Sequence, residues 1–224
     1  GTMNVTNAAG GVTINSGRLL MNGANTLNVT NDISIAGGEL LFNDNTAVIN
    51  ISGDLTMSSG EYDHNDGDMN VTGDIIITGG TMDLNVIATA STVDATDMTL
   101  ATGTVDLRGG TLTLSNASGG LTVNSGALSL LGTTVNISGD YDINANGSWL
   151  VTAAYSPTIS GSISSDGTFT GCNGAGCVYT LTSATGTISG TGAMNTMSDF
   201  LIDAPASYTN TNSGGVDISD ALGG

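Results

Sequence analysis

The chain's one histidine, His64, lies in Asp63-His64-Asn65-Asp66-Gly67-Asp68, the densest group of side chains able to hold a cation. Closely spaced carboxylates around a glycine suit a hard ion such as Ca²⁺, which takes oxygen ligands from short turns. The spacing departs from an EF-hand loop. Asp66-Gly67 comes one residue early, and the twelfth position, residue 74, is Asp rather than Glu. A metal reading therefore rests on Asp63, Asp66 and Asp68, with a solvated acidic turn as its alternative. No cofactor is required, and Ca²⁺ is the ion such a turn would take.

The other reactive groups are sparse. Cys172 and Cys177 flank the Gly-rich loop Asn173-Gly174-Ala175-Gly176, which either closes a small disulfide ring or leaves two thiols. A disulfide would place the chain outside a reducing cytoplasm. A zinc site would need more ligands than these cysteines and one histidine supply. The basic residues are Arg18 and Arg108, about four repeats apart, and there is no Lys. A nucleophile triad needs a His beside its Ser or Cys, and His64 has no such context. Cleavage of an acidic polysaccharide needs cations beside the catalytic carboxylates. Pairs of bare Asp suit a neutral glycan, but Asp is too frequent here to mark a site. The reading is non-catalytic, with a polysaccharide-active enzyme as an alternative.

Composition narrows the partners. Two basic residues stand against 20 acidic ones, a formal net charge of -18 over 224 residues. Nucleic-acid backbones are excluded as partners, because they require clustered Lys and Arg. Anionic membrane surfaces are disfavoured for the same reason, and no run of 18 apolar residues exists to insert in a bilayer. Hydrophobic residues make up 39%, too many for a disordered chain.

These groups hang on a repeat. Asn28-Val29-Thr30-Asn31-Asp32-Ile33, Asn50-Ile51-Ser52-Gly53-Asp54-Leu55, Asn70-Val71-Thr72-Gly73-Asp74-Ile75 and Asn136-Ile137-Ser138-Gly139-Asp140-Tyr141 share one frame. Weaker copies place anchors at 4, 92, 113, 158 and 180, with a mean spacing of 22 residues. Each unit reads as three short strands of period two, separated by Gly-rich turns. Such strands bury their apolar side only by stacking on the equivalent strand of the next unit. The expected fold is all-β: a right-handed parallel β-helix, or β-solenoid, of about ten rungs with about 22 residues per rung. Residues 1–224 form a single solenoid domain, either a segment of a longer chain or a stackable subunit.

Alternation sends the apolar residues inward and leaves Asn28, Thr30, Asn50, Ser52, Asn70, Thr72, Asn136, Ser138, Thr158 and Ser160 on one outer face. Stacked asparagines can form an amide ladder, or the face can bind a glycan, a surface or ice. The repeat also generates sequons, seven in all, which bear glycans only in an exported chain with the machinery to add them. Asp32, Asp54, Asp74 and Asp140 recur just before the second strand, as turn residues or as a column bridged by Ca²⁺.

In "NISGDLTMSSGEYDHNDGDMNVTGDIIITGGTMDLN" and "SATGTISGTGAMNTMSDFLIDAP" the chain resembles the long Gly/Asn/Thr-rich strand-repeat proteins that bacteria export to their surface. These include adhesins of the autotransporter and gliding-motility kinds and extracellular fibre proteins. The resemblance spans about residues 4–200 and is one of repeat style. It implies a β-helix shaft with an adhesive or structural role outside the cell or at its surface, as an adhesin shaft or filament subunit. The partners expected of such a chain are a further copy stacked end to end or a continuation of the solenoid, with glycans or cell surfaces on its outer face. The resemblance carries no specific functional residues.

Overall fold

Period-two alternation places every second residue of each short segment in a shared interior. The computed structural model describes residues 1–7, 9–44, 46–85, 91–151, 157–171, 177–197, 199–203 and 205–218. It is an all-β solenoid of parallel strands, with no helix among these residues long and apolar enough to cross a membrane. Ten strands stack along the first face, from Thr2–Val5 to Asp199–Ile202. From Thr2 to Asp199 nine coil steps take 197 residues, about 22 per coil. At the usual strand spacing the stack is roughly 45 Å long.

The other two faces form one bent sheet of 18 strands. The expected separate strands merge in two coils, where Ile33–Phe42 and Leu55–Asn65 run continuously round the corner between second and third faces. The register shifts at that corner, between Ile35 and Glu39. Gly80 turns the corner of a later coil with φ of +91°, and a Cβ there would lie 2.6 Å from the Gly60 carbonyl oxygen. Only glycine meets both demands.

The interior is one continuous apolar column, including Leu27, Ile49 and Met69 on the first face and Ile33, Leu55 and Ile75 on the second. Each side chain stacks on its equivalent a coil away, the pairing that stabilises sheets. The aromatic residues also enter this core. Phe42, Tyr62, Tyr141, Trp149, Phe169 and Tyr179 are all buried. Trp149 and Phe169, partners in register, stack with centroids 5.9 Å apart.

One register differs from the sequence expectation. Asn70 pairs with Asp94, not with Thr92, so the steps on either side are 24 and 19 residues. A slip of two leaves each side chain on its face, so the in-out pattern could not detect it.

Candidate functional site

The asparagines of the first face bond to one another. Asn28 Nδ2 donates to Asn4 Oδ1 at 2.7 Å, Asn50 Nδ2 to Asn28 Oδ1 at 2.8 Å, and Asn70 Nδ2 to Asn50 Oδ1 at 2.9 Å. Equivalent residues lie one strand spacing apart, which matches the reach of an amide-to-amide bond. The next partner is Asp94, and beyond it Thr113, Asn136, Thr158 and Thr180 continue the column. The neighbouring hydroxyls are likewise engaged. Thr30 Oγ1 donates to the Val5 carbonyl at 3.2 Å, Thr96 Oγ1 to the Thr72 carbonyl at 2.6 Å, and Ser160 and Thr182 share a bond of 2.8 Å. Thr30, Ser52, Thr72 and Ser160 are exposed, while Thr158 and Ser138 are half-buried.

The recurring aspartates form a second ladder. Asp32 Oδ1 accepts the Asp54 N–H at 2.9 Å, and Asp54 Oδ1 accepts the Asp74 N–H at 2.9 Å. Asp140 Oδ1 accepts the Ser162 N–H at 2.7 Å. Each carboxylate thus satisfies a backbone donor at the turn of the following coil. The Gly-Asp pairing has the same cause. A Cβ on Gly53 would lie 2.0 Å from Asp32 Oδ1, and one on Gly73 would lie 2.1 Å from Asp54 Oδ1. The glycine leaves the space that the carboxylate one coil earlier occupies.

Asp97 belongs to this ladder and was missed from sequence. It accepts the Gly120 N–H at 2.6 Å and Asn116 Nδ2 at 2.7 Å. The available signal was its place before the strand Met98–Leu100, without the usual preceding glycine. Burial and the neighbouring charges of Asp97 and Asp54 raise the Asp74 carboxyl above the ordinary range.

The structure does not bring Asp63, Asp66 and Asp68 together. Asp63 points outward from the third face, Asp66 turns the corner at φ 55°, and Asp68 Oδ1 accepts the Thr92 N–H at 2.9 Å. Among the described residues no three His, Cys, Asp or Glu side chains are placed to hold a metal ion.

His64 is not in a solvated loop either. Its side chain is 1% exposed, stacked at 4.8 Å on Phe42 and 2.8 Å from the Tyr62 hydroxyl through Nδ1. In the Nε2–H tautomer the Tyr62 hydroxyl donates to Nδ1. Burial pushes the imidazole down to about 4, against smaller upward pulls from the Ala47 and Asp66 backbone and the Asp68 and Asp66 carboxylates. Burial also raises the Tyr62 hydroxyl far above its ordinary range. Both rings are neutral at physiological pH.

The third face carries the main acidic patch. Asp63, Asp83 and Asp106 stack in register, with Glu39 and Glu61 beside them. Burial and like charge raise the carboxyls of Asp63 and Asp83, although Arg108 pulls Asp83 back. Both arginines lie on this face. Arg18 Nε meets Glu39 at 2.6 Å and Arg108 Nε meets Asp106 at 3.0 Å. These pairs are half exposed and add little stability.

Cys177 is buried and disulfide-bonded, while Cys172 lies outside the described residues. A mainly apolar cavity of about 220 Å³ at the C-terminal coils is lined by Leu181, Ile188, Phe200, Ile202, Tyr208 and Val216, with Asn210 as its one amide. It continues the core column and gathers no set of polar groups.

No family model matches the chain, and neither does any curated protein or solved structure.

Proposed function

We propose that this chain is a non-catalytic structural solenoid acting outside the cell or at its surface, as the shaft of an adhesin or a subunit of a fibre. One observation carries the reading: the polar groups repeated along the coil bond to the next coil instead of converging on a ligand. The asparagine amides bond to amides, and the aspartates bond to backbone N–H groups. Such ladders stiffen a rod, since each coil contacts only its neighbours. The disulfide at Cys177 supports an oxidising location.

Electron microscopy of the purified protein tests this. Rods of uniform width, alone or joined end to end, are expected, and rounded particles would overturn it. Binding to cells or glycan arrays then separates an adhesive shaft from a purely structural one.

A second reading rests on the third-face carboxylates. Asp63 and Asp83 occupy neighbouring coils with raised carboxyls, the arrangement an acid-assisted attack on a glycan would use. Turnover of any polysaccharide that is lost in Asp83→Asn would replace the structural reading with this one.

A further inference from the structure

Two described turns place an exposed asparagine before glycine. Asn22-Gly23 links the strands Arg18–Met21 and Thr26–Val29, and Asn146-Gly147 links Asp140–Ile143 and Ser148–Val151. In such a pair the glycine nitrogen can attack the asparagine Cγ, because no side chain hinders the approach. The two turns differ in how far they permit this.

Gly147 is held. Its N–H donates to the Asn144 carbonyl at 2.8 Å, and the space beside its Cα is filled, with the Val123 carbonyl oxygen 2.3 Å from where a Cβ would stand. Gly23 is open. Among the described residues nothing accepts its N–H, and a Cβ there would meet only Asn25 Nδ2, at 4.0 Å. Asn25 Nδ2 also donates to the Asn22 carbonyl. That bond draws electron density from the Asn22–Gly23 peptide and makes the Gly23 N–H easier to deprotonate.

We propose that Asn22 is a site of spontaneous deamidation, independent of whether the solenoid is a shaft or an enzyme. Base removes the Gly23 amide proton, and the nitrogen forms a bond to Asn22 Cγ. The tetrahedral centre expels ammonia, which takes its proton from solvent, and a succinimide remains. Water then opens either imide carbonyl, giving aspartate or isoaspartate. One water enters, one ammonia leaves, and nothing is oxidised or reduced. The product adds a carboxylate, and its isoaspartyl form lengthens the backbone at a coil corner. That corner holds the Asn25 carbonyl, which accepts the Val48 N–H at 3.0 Å.

The native protein is incubated at mildly alkaline pH beside a urea-unfolded sample. Trypsin cuts only after Arg18 and Arg108, so Asn22 falls in 19–108 and Asn146 in 109–224. Tandem mass spectrometry then locates the converted residue. In the native protein Asn22 is expected to convert roughly fivefold to tenfold faster than Asn146, the factor that one ordinary backbone hydrogen bond withholds. In urea the two rates converge. Equal rates in the native protein, or an Asn22 that survives native incubation, overturn the proposal.

Discussion

Replacing the buried Tyr62–His64 pair by hydrocarbon should remove a defined part of the protein's acid sensitivity. His64 is 1% exposed, and its imidazole falls from an ordinary 6.5 to about 4. The sign follows from linkage. Below pH 6.5 the unfolded chain takes up a proton that the folded core refuses, so stability is lost as pH falls. At about 1.4 kcal/mol per pH unit, the full interval corresponds to about 3 kcal/mol, of which about 2 kcal/mol is lost by pH 4.5. The raised carboxyls of Asp63, Asp74, Asp83 and Asp142 act in the opposite sense, since their folded forms bind protons more readily. The wild-type profile is therefore a difference, and only a comparison isolates His64. His64 stacks between Phe42 and Leu84 in register, so Leu fits its place. His64→Leu alone strands the Tyr62 hydroxyl, at about 1–3 kcal/mol. Tyr62→Phe with His64→Leu removes both polar partners and should be nearly neutral at pH 7. Urea unfolding followed by far-UV circular dichroism, from pH 7 down to about pH 4.5, reads the result. The double variant should gain about 2 kcal/mol relative to wild type across that range. Parallel wild-type and double-variant profiles would refute the reasoning.

The ladders make three further predictions. Gly53→Ala should lower stability by about 3 kcal/mol or more, because its Cβ would lie 2.0 Å from Asp32 Oδ1, and Asp32→Ala should recover part of that loss in a double-mutant cycle by chemical denaturation. Asn50→Ala breaks two amide bonds and should cost about 1–2 kcal/mol, whereas Asn136→Ala, outside the bonded run Asn4–Asn70, should cost less; melting temperatures compare them. EDTA should leave the melting temperature unchanged, since the turn aspartates already hold backbone N–H groups, and a rise of several degrees on adding Ca²⁺ would contradict that account.

The solenoid was legible because its signals are local. Period-two alternation and the 22-residue return of Asn-x-Thr/Ser-Gly-Asp determine which side chains enter the core and how long a coil is. His64 was within reach of the same logic, as Tyr62 and His64 flank Asp63 in alternation, but the surrounding acids disguised a strand as a loop. What alternation cannot reach is the identity of the neighbour one coil away, since a two-residue slip keeps every face intact. The tertiary structure shows that register: Asn70 pairs with Asp94, and Asp97 joins the carboxylate ladder. It also shows that the recurring turn aspartates accept backbone N–H groups of the following coil. The sequence by itself determined the inside and outside of this protein. Only the tertiary structure decided what each outside group bonds to, because that depends on contacts some 20 residues away, closed through turns whose length and bend vary from coil to coil.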